Sequence, residues 1–127
     1  MNISQKEIIA TVETEINLLK AERYINFQLT DKATEASNSA ADSHRALNWL
    51  YARRRGEPRR LLGIKIHYYG IWQRSLVGVL QNSDGHSMSA TLLLSKALAD
   101  ATDLVRECPD SPEFKELLRK VKEWQSQ

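Results

Sequence analysis

The first 55 residues contain neither glycine nor proline; the first of either is Gly56. Nothing in that stretch breaks a helix, so it has room for two long helices and a turn. Ser4-Gln5-Lys6-Glu7 fits a capping box, in which the Ser4 side chain accepts from the Glu7 amide and Glu7 reaches back. Ile9, Val12, Ile16 and Leu19 then recur at spacings of three and four, and the apolar face drifts to Tyr24 and Phe27. This predicts a first helix over about residues 4–28 with that ridge as its apolar face.

Leu29-Thr30-Asp31-Lys32 is the expected turn, with Thr30 or Asp31 as the next N-cap. A second helix is expected from about 31 to 54. Its inner positions are Ala33, Ala36, Ala40, Ser43, Leu47 and Leu50, in alternating steps of three and four. The first half of that face is small, so a neighbour approaches closely but little area is buried per residue. The expectation is an intramolecular helical hairpin; self-association through these heptads is the alternative.

Gly56 and Pro58 end that helix. Residues 59–81 read two ways. With period two, Leu62, Ile64, Ile66 and Tyr68 line one side of a strand, which makes a β-hairpin within 60–81 the main alternative. With period 3.6, Leu62, Ile66, Tyr69, Leu76 and Leu80 share a helix face. Gly63, Gly70 and Gly78 each cost a helix about 1 kcal/mol, but a lone two-stranded hairpin is only marginally stable. The helix is favoured. Ile64 and Ile71 fall off its main apolar face, so it should be nearly buried or meet a partner.

Asn82-Ser83-Asp84-Gly85 is a turn, because Asp-Gly supplies the positive φ. A fourth helix is expected from about Met88 to Glu107, capped by Ser87 or Ser89, with a stripe of Leu94, Ala97, Leu98, Ala101, Leu104 and Val105. Ser111 as N-cap and Pro112 at the first helical position open a fifth, with a stripe of Phe114, Leu117, Leu118, Val121 and Trp124. No repeat or low-complexity tract interrupts the pattern. The reading is all-α: a single helical domain over 1–127, a bundle of four or five helices built on a long N-terminal helical hairpin.

A net charge of +2 hides an uneven distribution. Residues 51–74, YARRRGEPRRLLGIKIHYYGIWQR, hold seven positive charges against Glu57, while the rest of the chain holds eleven positive and fifteen negative. Arg53, Arg54 and Arg55 end the second helix, and Arg59 and Arg60 begin the third across a short loop. Positive charge suits the C-terminal end of the second helix and opposes the dipole at the start of the third. Five crowded guanidiniums therefore need compensation, from carboxylates of the chain or from an external polyanion. Arg suits phosphate because its planar fork donates two parallel hydrogen bonds. Arg60, His67 and Arg74 share one helical face, and Arg45, Trp49 and Arg53 share another. Arginines flanking an aromatic ring suit a single strand, whose bases stack while its phosphates are neutralised. Lys65 adds a further charge. The bland reading is a solvated basic corner with an internal cation–π stack.

Two short stretches resemble catalytic motifs. Gly85-His86-Ser87-Met88-Ser89 resembles the G-x-S-x-G elbow of the α/β-hydrolases, but Ser89 replaces the final glycine, no histidine follows Ser87, and the chain is too short for that sheet. Arg60-Leu-Leu-Gly-Ile-Lys-Ile-His67-Tyr-Tyr69 resembles the R-x(4–6)-H motif of the HEPN ribonucleases, which are small α-helical bundles. The resemblance implies Arg60 and His67 as a metal-independent RNase pair, with Tyr69 matching the H-x-Y extension of some members and two such pairs meeting across a dimer. On one helix that spacing spans about 10.5 Å. The motif departs where Leu61 replaces a usually polar residue, and in opening the third helix of five rather than the last long one.

His44, His67, His86 and Cys108 have no metal-ligand spacing, and no glycine-rich phosphate loop is present. No metal, cofactor or catalytic residue is expected. Cys108 has no partner within the chain, no run of apolar residues spans a membrane, and the acidic N-terminal stretch does not read as a signal peptide. A cytoplasmic setting follows as the expectation. The function that these features favour is a non-enzymatic accessory protein that binds nucleic acid mostly through its backbone, with weak sequence specificity, at Arg45, Trp49, Arg53, Arg54, Arg55, Arg59, Arg60, Lys65, His67 and Arg74. Single strands or RNA are slightly favoured, as a subunit of a larger assembly. Four arginines on phosphate predict a slope of log K against log salt of roughly −3 to −4. The alternatives are an adaptor or inhibitor that sets the same corner on an acidic protein, and a HEPN-like RNase. A homo-oligomer is compatible with each.

Overall fold

In the computed structural model, which describes residues 1–127, the chain is all-α. Its five helices are α1 (Ile3–Asn26), α2 (Thr30–Tyr51), α3 (Gly56–Ser83), α4 (Ser87–Glu107) and α5 (Pro112–Gln125). Residues 60–81 lie wholly within α3, so the β-hairpin alternative is excluded. The residues group into two compact units, Met1–Gly70 and Ile71–Gln127, and α3 runs from one into the other.

In the first unit α1 and α2 form a hairpin. Leu29 N–H donates to Tyr24 O and Gln28 N–H to Ile25 O, the paired bonds of a Schellman motif, with Gln28 at φ 60°. α2 buries Ala33, Ala36, Ala40, Ser43, Leu47 and Leu50 as its spacing predicts. α1 departs from expectation: it buries Ala10, Thr14, Leu18 and Ala21, whereas Ile9, Val12, Ile16 and Leu19 are 42–49 % exposed. The cause lies in the partner. Most of the α2 face is small, with Leu47 and Leu50 only at its end, and a mostly small α1 face lets the two backbones approach, where a row of branched side chains would hold them apart. The buried Thr14 hydroxyl is satisfied locally, donating to Ala10 O at 2.7 Å.

The first part of α3 packs against both helices. The Tyr51 ring of α2 lies over Gly63, and the His44 ring, two turns earlier, lies over Gly70. His44 Nε2 is 2.8 Å from Ile66 O; a carbonyl only accepts, so Nε2 carries the proton. Tyr69 donates to Glu15 Oε2 of α1 at 3.3 Å. Burial first, and then the Glu15 carboxylate, hold the Tyr69 hydroxyl protonated far above the usual range for a phenol.

In the second unit, Leu94 of α4 packs on Gly78 of α3, Arg74 donates to Asp100 at 2.9 Å, and Lys120 of α5 lies 4.4 Å over the Trp72 ring. α5 buries Leu117 and Val121, and Ser111 caps it by accepting from Phe114 N–H, with Pro112 in the first turn, as expected. α3 ends in a second Schellman motif: His86 N–H donates to Gln81 O and Gly85 N–H to Asn82 O, with Gly85 at φ 87°.

Three expected caps are corrected. α1 starts at Asn2, whose side chain accepts from Gln5 N–H while Gln5 reaches back, so the box sits two residues before Ser4–Glu7. Neither Thr30 nor Asp31 caps α2; Leu29 occupies that position with no side-chain bond, because the Schellman turn already fixes the chain there. Likewise His86, not Ser87 or Ser89, precedes α4, directly after the turn that ends α3.

Candidate functional site

α2 ends at Tyr51 and α3 begins at Gly56, so Arg53, Arg54 and Arg55 lie in the connecting segment rather than on α2. The last carbonyls of α2 are met by the backbone N–H groups of Ala52, Arg53 and Arg54 and by arginine side chains. Arg53 donates from Nη1 to Trp49 O at 2.9 Å, and Arg59 from Nε to Tyr51 O at 3.2 Å. Arg55 reaches Arg54 O at 3.2 Å. Two of the guanidiniums also lie on rings: Arg53 at 3.4 Å from the Trp49 centroid and Arg59 at 4.2 Å from that of Tyr51. Positive charge is thus gathered where the α2 dipole is negative.

The chain neutralises some of these groups itself. Arg54 is folded back on α1, donating from Nε to Glu7 and from Nη2 to Ser4 Oγ, each at 3.2 Å. Both charged side chains of that pair are about four-fifths buried. Arg60 turns to Glu57, with Nε at 2.9 Å, and that hydrogen bond holds Glu57 below the usual carboxylate range. Arg45 pairs with Asp42 on its own helix. Arg74 belongs to the second unit, where Asp100 holds it. Of the five corner arginines that need compensation, Arg54 and Arg60 receive it from carboxylates of the chain.

Arg53, Arg55 and Arg59 have no carboxylate partner and are exposed. Lys65 and His67 are exposed too. Lys6 of α1, which the sequence did not single out, comes within 5.6 Å of the Trp49 centroid, so Trp49 has two cations about it. Beside it a groove of about 350 Å³ runs between α1 and α2, lined by Lys6, Ile9, Ala10, Glu13, Trp49 and Leu50 among others. Lys6 had no local signal, since it reaches Trp49 from 43 positions away in sequence.

Of the pair that the HEPN resemblance implies, Arg60 lies near the start of α3 and His67 two turns further along the same helix. Arg60 is engaged by Glu57, and no side chain orients the exposed His67. No three His, Cys, Asp or Glu side chains converge on one point. Cys108 is a half-buried free thiol at the end of α4. No helix is long and apolar enough to cross a membrane. No family model matches the chain, and no curated protein or solved structure matches it closely enough to carry an argument.

Proposed function

We propose that the protein binds nucleic acid through the phosphate backbone, at the α2–α3 corner, without acting on it chemically. One observation carries this reading: Arg53, Arg55 and Arg59 stand exposed within one short connection, held in place by backbone carbonyls and rings, with no carboxylate to neutralise them. Pre-placed guanidiniums lose little freedom when a phosphate arrives, and each keeps free N–H groups for it. Lys6 at Trp49 adds charge on the α1 side of the same corner.

The ring geometry bears on the mode of contact. Arg53 covers one face of Trp49 and Arg59 one face of Tyr51, so those faces are closed to a stacking base. Contact to phosphate is favoured over base stacking, and weak sequence preference follows. Three phosphates neutralised give a slope of log K against log salt of about −2 on a single strand and about −3 on a duplex.

The test is a binding titration by fluorescence anisotropy against single-stranded and duplex DNA and RNA over a salt series. The triple variant Arg53→Gln, Arg55→Gln, Arg59→Gln should lose most of the affinity and flatten the slope toward zero. Absence of binding at low salt to every one of these ligands ends the proposal.

A further inference from the structure

α1 is apolar on two opposite sides, and only one of them is covered. Ala10, Thr14, Leu18 and Ala21 face inward, while Ile9, Val12, Ile16 and Leu19 form a ridge on the far side, with Ile8 beside it at 63 % exposure. The ridge leaves bare an apolar strip on the order of 400 Å², within the range in which the largest patch on a monomer is often functional. We infer that this ridge is covered by the α1 ridge of a second copy of the chain, in a parallel two-stranded coiled coil.

Spacing and residue type support this occupant. The ridge is two heptads, with Ile9 and Ile16 at a and Val12 and Leu19 at d. β-Branched a positions with leucine at d favour two parallel strands, a pattern met by Ile9, Ile16 and Leu19, with Val12 the one departure at d. The flanking charges choose the direction independently. In a parallel pair each g position faces the e position five residues on in the other copy. Glu15 then meets Lys20, twice per dimer, and Ile8 meets Glu13, with no like charges opposed. In an antiparallel pair e faces e and g faces g, which sets Glu13 on Glu13, Glu15 on Glu15 and Lys6 on Lys20. Glu15 gives Oε2 to Tyr69, which leaves Oε1 for the lysine of the second copy.

The size of the seam sets its strength. Gln5 at d and Arg23 at a end the apolar run on either side. Two ridges with their flanking aliphatic stems bury about 1,000 Å², the lower end for a specific interface, so association should fall in the micromolar range. Arg54 ties the basic corner to Glu7 near the start of α1, so a parallel pair carries both corners at the same end. The dimer does not rest on nucleic-acid binding, and its test reads association alone.

Sedimentation of the full chain from micromolar to submillimolar concentration should show a reversible monomer–dimer equilibrium. Ile16→Asp, at a half-exposed position, should weaken it at least about tenfold with helicity by circular dichroism unchanged. Orientation is read by Val12→Cys in a Cys108→Ser background. In the parallel seam the two d positions face one another at a separation that a disulfide bridges, so oxidation should cross-link the dimer; antiparallel ridges oppose Val12 to Ile16 and should not. A chain that stays monomeric throughout, a dimer that survives Ile16→Asp, or a dimer that Val12→Cys fails to cross-link each overturns the inference.

Discussion

A Cβ added at Gly63 would stand 3.0 Å from Cε2 of the Tyr51 ring. Gly70, two turns along α3, sits in the same way beneath His44, two turns back along α2. The two helices therefore run antiparallel with rings seated over glycines. Two residues that read as helix breakers, Gly63 and Gly70, are where the α2 rings lie against α3.

The three α3 glycines should separate by what lies over them. At Gly70 the nearest atom to an added Cβ is His44 Nε2 at 3.5 Å, ordinary contact, so Gly70→Ala should gain up to about 1 kcal/mol from helix propensity. At Gly78 the Cβ would meet Leu94 Cγ at 2.9 Å inside the core, and overpacking of about 1–3 kcal/mol should outweigh that gain. Gly63→Ala should fall between, since the half-buried Tyr51 ring has room to tilt. Urea denaturation of the three single variants gives the order directly; a Gly78→Ala protein more stable than Gly70→Ala contradicts the packing described.

Gln28 and Gly85 hold the same place at the ends of α1 and α3, both with positive φ. Only the second is a glycine. A side chain in the left-handed region costs about 1 kcal/mol, and Gln28 is exposed, so Gln28→Gly should raise the melting temperature. Gly85→Ala should lower it by a comparable amount. Equal melting temperatures for Gln28→Gly and the parent chain would show that the strain is relieved elsewhere.

What the sequence made legible was local. Ser111 and Pro112 opened α5, Asp84-Gly85 closed α3, and the inner face of α2 followed from its spacing. The face of α1 was not legible, because hydrophobicity ranks the isoleucine ridge above the alanine face and only the small side chains of α2 reverse that order. The cap of α1 was misplaced by two residues, and Ser4 and Glu7 proved to be engaged by Arg54, 47 or more positions away. The basic corner was visible as a cluster. Its division into paired and unpaired arginines was not, since that depends on which carboxylates the fold brings near.

Stability should fall at high pH because of Tyr69. Its folded-state pKa is raised by burial and by Glu15, so its contribution is fully present below the unfolded value of about 10 and is lost as pH rises through the folded value. Above that lower limit the unfolded chain releases a proton that the folded chain keeps. Tyr69→Phe keeps the ring and removes the hydroxyl, so its urea midpoint should decline less between neutral and strongly alkaline pH than that of the parent. Parallel declines would place the alkaline loss in other groups.

Arg54 and Arg55 are neighbours in sequence and should have opposite phenotypes. Arg54 is mostly buried against Glu7, and Arg54→Ala leaves that carboxylate four-fifths covered without its donor. The expected cost is about 1–3 kcal/mol, reduced by the solvent that still reaches the pair. Arg55 is exposed and bonded only to a backbone carbonyl, so Arg55→Ala should change stability by less than about 0.5 kcal/mol. If the corner binds phosphate, it is Arg55→Ala that reduces the salt slope, by about 0.7–0.9, while Arg54→Ala leaves it unchanged in the folded fraction. Measuring melting curves and salt slopes on both variants assigns each arginine to the fold or to the ligand. A slope that responds to Arg54 and not to Arg55 would place the binding surface away from the exposed guanidiniums.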